Sequence, residues 1–354
     1  MKNFACPKCS NKIYFENVEC LKCGSALGFD ATTLQMALLV PAAEPHRYKL
    51  ADRSGGTVEY CQNARYAACN WLMVANDTTG LCPACDLNRT IPNLAELGNI
   101  EAWRDMEQAK KRLVYSLLRL GLPLVSPVEG RGKLAFDFVR NATTGHKDGV
   151  ITIDVLEADA VERERQRQRF AEPYRALLGH LRHESGHFYW ALLVEDAGMT
   201  KTFRKLFGDE REDYNAALAR HHKDGPRSDW AQQFVSAYAS AHPWEDWAET
   251  WAHYLHIVDA VDTAEAEGME PRSQGLSFGA LWPFRRTDVY RDESFATLTN
   301  RWIPLSAALN SLSRCMGHGD FYPFVIPEPA YAKLNFVHDV IRSSVRHHHG
   351  LRVP

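Results

Sequence analysis

The most regular alternation of apolar and polar side chains lies between residues 99 and 120. Apolar side chains recur there at steps of three and four residues, which places them on one face of a helix. Gly121 and Pro123 follow, where such a helix is expected to end. We therefore predict an amphipathic helix over 99–120. Its buried face would carry Trp103, Met106, Leu113, Leu117 and Leu120.

Shorter patterns divide the rest of the chain into strands and helices. Segments 133–139 (KLAFDFV) and 149–155 (GVITIDV) are apolar and rich in β-branched or aromatic residues, and a turn-rich segment separates them. They predict a β-hairpin or two neighbouring strands. Helical patterns cover 161–170, 173–194, 228–240 and 243–263. A few strands among many helices indicate a largely helical α+β protein.

Composition narrows the class of protein. The chain has 354 residues, enough for two domains of about 100–200 residues each. The 41 Lys and Arg residues nearly balance the 44 Asp and Glu residues, so we expect no nucleic-acid partner. The sequence contains no apolar run of about 18 residues and no apolar leader, so we expect no membrane partner and a cytoplasmic location.

Cysteine placement separates the N-terminal part from the rest, because eight of the nine cysteines lie in the first 85 residues. Cys6-x-x-Cys9 and Cys20-x-x-Cys23 form two knuckles that are ten residues apart. Two such turns supply the four thiolates of a structural zinc site. The alternative of two disulfides does not suit a reducing cytoplasm. Gly24, which follows the second knuckle, suits a backbone position with positive φ.

A second cysteine group is more widely spaced. Cys82-x-x-Cys85 is a knuckle, whereas Cys61 and Cys69 are eight positions apart. We predict a second structural four-cysteine zinc site, so that residues 1–93 form a double zinc-ribbon module and 94–354 a second domain. The alternative is one knuckle and two buried thiols, with His46 as a substitute ligand. Such a module is expected to depend on its metal for folding.

Residues 183–187 form an HExxH motif within the predicted helix over 173–194. His183 and His187 are four residues apart, so both imidazoles can bind one metal ion from the same helix face. Glu184 would then act as the general base toward water. The alternative is a helix with two surface histidines. Gly186 weakens helix propensity, which suggests that another element packs closely over the motif.

A catalytic zinc site needs a third protein ligand, and the predicted helix over 243–263 supplies two acids on one face. We expect Glu245 to bind the metal and Glu249 to orient a zinc-bound histidine. The opposite assignment remains open, as does a solvated acidic face. Tyr238 is a candidate donor to the oxyanion, or else a core tyrosine.

These residues resemble the gluzincin metallopeptidases, in which a helical glutamate follows HExxH by tens of residues. The spacing of Tyr238, Glu245 and Glu249 is similar to that of the anthrax lethal factor catalytic domain. More narrowly, a double zinc ribbon joined to such a domain resembles a bacterial family of zinc-binding metallopeptidases. Residue 249 is Glu, where thermolysin-like and ExxAD patterns have Asp.

The resemblance implies a zincin-like domain with a small mixed sheet above the active-site helix. It implies that His183, His187 and Glu245 bind zinc, that Glu249 supports a ligand and that Tyr238 stabilises the oxyanion. The cofactors would be one catalytic and two structural zinc ions. We expect a peptide or protein substrate extended along an edge strand, with 133–139 and 149–155 as the candidates.

The predicted function is therefore zinc-dependent hydrolysis of peptide bonds, with the ribbon recruiting a protein partner or substrate. One alternative is a binding or scaffold protein with an inactive protease-like domain. Retention of Glu184 argues against it, because metal binding alone does not need that carboxylate. The other alternative is a zinc hydrolase acting on a non-peptide amide.

Overall fold

The structure is a computed structural model that describes residues 3–52, 56–169, 175–269, 288–291 and 294–350. It confirms an α+β fold in which a cysteine-rich N-terminal part precedes a small mixed sheet and a helical region. Within these residues, no helix combines the length and apolar character needed to cross a lipid bilayer.

The N-terminal part contains two antiparallel sheets. Strands β1 (Phe4–Ala5) and β2 (Lys12–Ile13) form a hairpin around the first knuckle. The second sheet has five strands in sequence order, β3 (Leu27–Asp30), β4 (Gln35–Pro41), β5 (Tyr48–Leu50), β6 (Val58–Tyr60) and β7 (Leu72–Val74). A bridge from Phe29 to Trp71 brings its two outer strands together. Gly28 allows this approach, because a Cβ there would lie 2.5 Å from Leu72.

The mixed sheet has four strands: β8 (Asn88–Thr90), β9 (Ala135–Val139), β10 (Gly145–Lys147) and β11 (Val150–Asp154). Their spatial order is β10-β11-β9-β8. Strands β9 and β11 are parallel neighbours, which confirms two adjacent strands and excludes a hairpin between them.

The predicted substrate strands are wrong, because β9 and β11 each have a neighbour on both sides. Neither strand has free backbone groups along an edge with which an extended peptide could pair. The edge on this side of the sheet is β10, which is antiparallel to β11. The residues of β10 belong to the segment whose sequence predicts a turn.

Nine helices occur in the described residues: α1 (Asn99–Arg119), α2 (Ala160–Arg169), α3 (Leu177–Trp190), α4 (Thr200–Phe207), α5 (Tyr214–Asp224), α6 (Trp230–Gln233), α7 (Pro243–Ala266), α8 (Phe295–Cys315) and α9 (Glu328–Gly350). Helices α1, α2 and α7 confirm their predictions. Helix α3 begins later than predicted and continues into a π-helical turn, Ala191–Glu195. The predicted start at Pro173 lies outside the described residues.

The single helix predicted over 228–240 is wrong. The chain forms the short helix α6, becomes extended at Phe234, and then makes a 3₁₀ turn over Tyr238–Ser240. The hydroxyl of Ser236 accepts a hydrogen bond from the Ala239 amide at 3.1 Å. This side-chain cap starts a new turn in place of a continuous helix.

One hydrophobic core runs through the cysteine-rich part and the helical region. The Phe15 ring lies 4.8 Å from Phe29 and 5.3 Å from Tyr115 of α1, between ring centroids. Strand β8 precedes residue 93 but pairs with β9 in the mixed sheet. The domain boundary at residue 93 stays a prediction. The cysteine-rich part and the helical region pack as one body around α1.

Candidate metal centre

The four sulfurs of Cys6, Cys9, Cys20 and Cys23 lie within 4.8 Å of one another. Their closest pairs are 3.7 and 3.8 Å apart, too long for a disulfide of about 2.05 Å. A tetrahedron with zinc–sulfur distances of about 2.3 Å has edges of about 3.8 Å. The cluster therefore fits zinc. Gly24 has the expected positive φ, +66°.

The second group, Cys61, Cys69, Cys82 and Cys85, has the same compactness and is entirely buried. The Cys69 and Cys82 sulfurs are 3.7 Å apart. His46 is exposed and does not belong to this cluster, so the alternative that used it as a ligand is wrong.

Helix α1 contributes the charges around the second cysteine group. Lys110 and Lys111 are both buried, and the Lys111 ammonium group donates to the Ala68 carbonyl. The neighbouring cysteines dominate these ionisations: hydrogen bonding with Cys61 raises the pKa of Cys69 well above its ordinary range, and the charge of Lys111 opposes that rise only in part. A site with four thiolates therefore has cationic partners from the helical region.

A third group joins two helices. His183 and His187 of α3 and Glu245 of α7 place their ligand atoms within 4.8 Å of one another. His183 Nε2 lies 3.0 Å from Glu245 Oε2, and His187 Nε2 lies 3.9 Å from Glu245 Oε1. Two imidazoles and a carboxylate are a common zinc donor set that leaves a coordination position for water or substrate.

Helices α3 and α7 approach closely at Gly186, which confirms the expected tight packing. A Cβ at this position would lie 3.0 Å from the Ala248 backbone and 3.2 Å from the Trp251 ring. The Trp247 indole donates to the Gly186 carbonyl at 2.7 Å, and the Trp251 indole donates to Ser185 Oγ at 3.1 Å. These contacts fix the acids of α7 opposite the histidines of α3.

Glu249 faces the other nitrogen of His183. Its Oε1 lies 2.7 Å from His183 Nδ1, and its Oε2 accepts from Ser236 Oγ at 2.6 Å. Glu245 also has a hydroxyl partner, because Tyr214 Oη donates to its Oε1 at 2.6 Å. The sequence does not predict the roles of Ser236 and Tyr214, since no motif spacing links them to the two acids.

Aromatic and imidazole rings surround the group. The Tyr238 ring lies 5.9 Å from that of His183, and His221 of α5 lies 5.7 Å from Tyr238. His146 of β10 stacks on His187 with the ring centroids 5.7 Å apart. The edge strand is therefore beside the third group, a placement that the sequence did not predict.

Burial and the neighbouring charged groups together determine the ionisation of this site. Burial raises the pKa of Glu184 to about 7, against the opposing effect of His183, and the nearby Glu245 and Glu249 raise it further. Burial also lowers the pKa of His187 to about 3, so this imidazole is in the neutral form that binds metals. Burial opposes ionisation of Glu245, but contacts with His183 outweigh it and lower the pKa to about 2.

The donor set fits a divalent cation. Buried carboxylates cost several kcal/mol each unless a positive group compensates them. Of the three acids around the two imidazoles, Glu245 is buried, and Glu184 and Glu249 are partly buried. A metal ion held by His183, His187 and Glu245 would supply that compensation.

Comparison with known families agrees with this geometry. A family model described as "Putative zinc-binding metallo-peptidase" matches residues 99–340, which include all three candidate ligands. The chain belongs to this family. A zinc-ribbon domain model matches residues 3–96, which include both cysteine groups. The metallopeptidase family thus accounts for the helical region, and its description names zinc as the metal.

Two mycobacterial proteins are similar to this chain over nearly its whole length. An uncharacterized protein of Mycobacterium tuberculosis is 43% identical over 350 residues, which cover 96% of this chain and 95% of the relative. An uncharacterized protein of Mycobacterium bovis matches to the same extent. No solved structure matches the chain.

Proposed function

We propose that this member of the family is an active zinc-dependent metallopeptidase of the gluzincin type, which hydrolyses peptide bonds. The observation that carries the proposal is the convergence of His183, His187 and Glu245 from two helices, with Glu184 partly buried beside them. Metal binding by itself does not require Glu184, whereas hydrolysis requires a base.

Each residue of the site would have a distinct role in hydrolysis. His183, His187 and Glu245 would hold zinc, which when bound polarises a carbonyl oxygen and makes water more acidic. The Glu184 carboxylate would take a proton from the attacking water and pass it to the leaving amine. Glu249 Oε1 would accept the Nδ1 proton of His183 and so fix the tautomer in which Nε2 faces the metal.

Two further elements would bind the substrate. The Tyr238 phenol would donate to the carbonyl oxygen as negative charge develops on it. A peptide backbone would pair with β10, the edge strand that carries His146 next to His187. This placement replaces the two inner strands that the sequence had suggested.

The proposal includes three zinc ions per chain, one catalytic and two structural, in the three ligand groups of the described residues. It also includes a protein partner or substrate recruited by the zinc ribbon. The exposed Leu21 at the tip of the second knuckle supports such recruitment. A cytoplasmic location would keep the cysteines reduced for metal binding.

Replacement of Glu184 by Gln tests the enzyme directly. We expect hydrolysis of a peptide library, followed by mass spectrometry, to fall by about 10²–10⁴-fold because the base is lost. The zinc content should stay at the wild-type value. Glu129→Gln, at an exposed position, serves as the control.

Unchanged hydrolysis in Glu184→Gln would remove Glu184 as the base. If the wild type holds zinc at the third group but cleaves no peptide, a panel of non-peptide amides distinguishes an amidase from an inactive scaffold. An amidase would lose its activity on the same substitution.

A further inference from the structure

Glu245 and Glu249 each accept a hydrogen bond from a hydroxyl that lies outside helices α3 and α7. Tyr214, the first residue of α5, donates to Glu245 Oε1 at 2.6 Å. Ser236, just before the 3₁₀ turn, donates to Glu249 Oε2 at 2.6 Å. In both acids the other oxygen faces His183.

We propose that Tyr214 is the positioning residue for the metal-binding carboxylate of Glu245. This inference rests on the zinc site of the proposed function and adds a residue that neither motif contains. Tyr214 binds Oε1, which leaves Oε2 directed at His183 Nε2, 3.0 Å away. A glutamate side chain held in this way is ready to bind through one oxygen.

The strength of the contact supports this role. An O–H···O⁻ hydrogen bond of about 2.5–2.7 Å is charge-assisted and stronger than one between neutral groups. Glu245 is almost fully buried, so solvent competes little for its oxygens. Partners that hold metal ligands in place commonly change metal affinity by about 10–100-fold when removed.

The Tyr214 ring is itself held in place. It contacts His242 edge-on, with ring centroids 5.2 Å apart, and lies 6.1 Å from Trp244. His242 caps α7, since its Nδ1 accepts from the Trp244 amide at 3.1 Å. The phenol that binds Glu245 is therefore packed against the first turn of the helix that carries Glu245.

Tyr238 provides the contrast, because its ring also lies beside the ligands. Within the described part of the chain, its hydroxyl makes no hydrogen bond to either acid, and its ring contacts are with His183 and His221. A phenol free of the ligand carboxylate can act on substrate. A phenol that is hydrogen-bonded to that carboxylate instead affects metal binding, because it positions the ligand.

Zinc affinity separates the two phenols. The test titrates wild type, Tyr214→Phe and Tyr238→Phe with a chromophoric zinc chelator and measures release of the most weakly held ion. We expect Tyr214→Phe to release it at about 10–100-fold lower chelator concentration than wild type. Tyr238→Phe should stay within about twofold of wild type, because it removes no ligand partner.

A third variant distinguishes the hydroxyl from the helix that carries it. Ala217→Gly weakens α5 at its buried residue and keeps the Tyr214 hydroxyl. It should change zinc affinity much less than Tyr214→Phe. Equal loss in both variants, or wild-type affinity in Tyr214→Phe, would overturn the positioning role.

The outcomes also separate this inference from the proposed function. A wild type that holds only the cysteine-bound zinc ions would remove the catalytic site, and the role of Tyr214 with it. A wild type with a third zinc ion, and a Tyr214→Phe variant that binds it equally well, would remove the positioning role alone.

Discussion

Glu245 and Glu249 lie one helical turn apart, yet they face different nitrogens of the same imidazole. Glu245 meets His183 on the Nε2 side, where His187 also directs its Nε2. Glu249 meets Nδ1. The proposed ligand, Glu245, and its proposed supporting partner, Glu249, therefore differ in which side of His183 they occupy.

Alanine substitution should separate these two roles. We expect Glu245→Ala to lose one zinc ion per chain, because a ligand is removed. Glu249→Ala should keep that ion with about 10–100-fold weaker affinity, because only the orientation of His183 is lost. Elemental analysis and chelator competition measure the two effects.

Glu265→Ala is the matched control, since Glu265 lies on the same helix and forms an ion pair with Arg301 instead. It should keep all the zinc. The reverse pattern, with the ion lost in Glu249→Ala and kept in Glu245→Ala, would exchange the two roles.

The candidate site residues that the sequence predicted were those with a regular spacing along a helix. His183, His187, Glu245 and Glu249 belong to patterns with a period of about four, which a helix converts directly into a shared face. Tyr214 and Ser236 reach the same acids from separate elements. Their proximity depends on how the chain turns between helices, and local spacing does not encode it.

At the scale of elements, the crossing of α3 and α7 depends on the missing side chain of Gly186. Substitution by Ala would improve helix propensity by about 1 kcal/mol. The added methyl group would lie 3.0 Å from the backbone of α7, where no flexible side chain can move aside. Overpacking of this kind typically costs about 1–3 kcal/mol.

We therefore expect Gly186→Ala to lower the free energy of unfolding, measured by denaturant titration, and to weaken zinc binding at the third group. Gly319→Ala is the control, because a Cβ at that loop position meets nothing within 4 Å. A Gly186→Ala protein as stable as wild type would show that the two helices can separate without cost.

The order of the strands in the mixed sheet could not be predicted from the sequence either. The patterns of β9 and β11 predicted two neighbouring strands, but their parallel pairing requires the chain to cross between them. The crossing segment contains β10, whose three residues, Gly145–Lys147, show no apolar alternation. The sequence of this edge strand resembles a turn, so its position next to the third group could not be predicted.

At the scale of the molecule, the cysteine groups share a core with the helical region. The second group is buried against α1, where Cys85 Sγ lies 3.6 Å from Glu107 Oε2. Loss of this site should therefore affect the whole protein. We expect Cys82→Ser to remove one zinc ion and to lower the midpoint of a single thermal transition that includes α3 and α7.

Cys315→Ser provides a matched control, since Cys315 is exposed and belongs to no metal group in the described residues. Hydrogen exchange of α3 and α7 reports on the helical region separately. If those helices kept their protection in Cys82→Ser while the N-terminal part lost it, the two parts would fold independently.

The shared core has a consequence for cells that run short of zinc. A peptidase whose only metal ion lies in its active site can fold first and bind its cofactor later. In the proposed assignment, two structural zinc ions would complete the shared core and would be required earlier, while the new chain is folding. Under zinc starvation the protein would be lost to proteolysis before its activity was needed, so its abundance would follow the zinc supply of the cell.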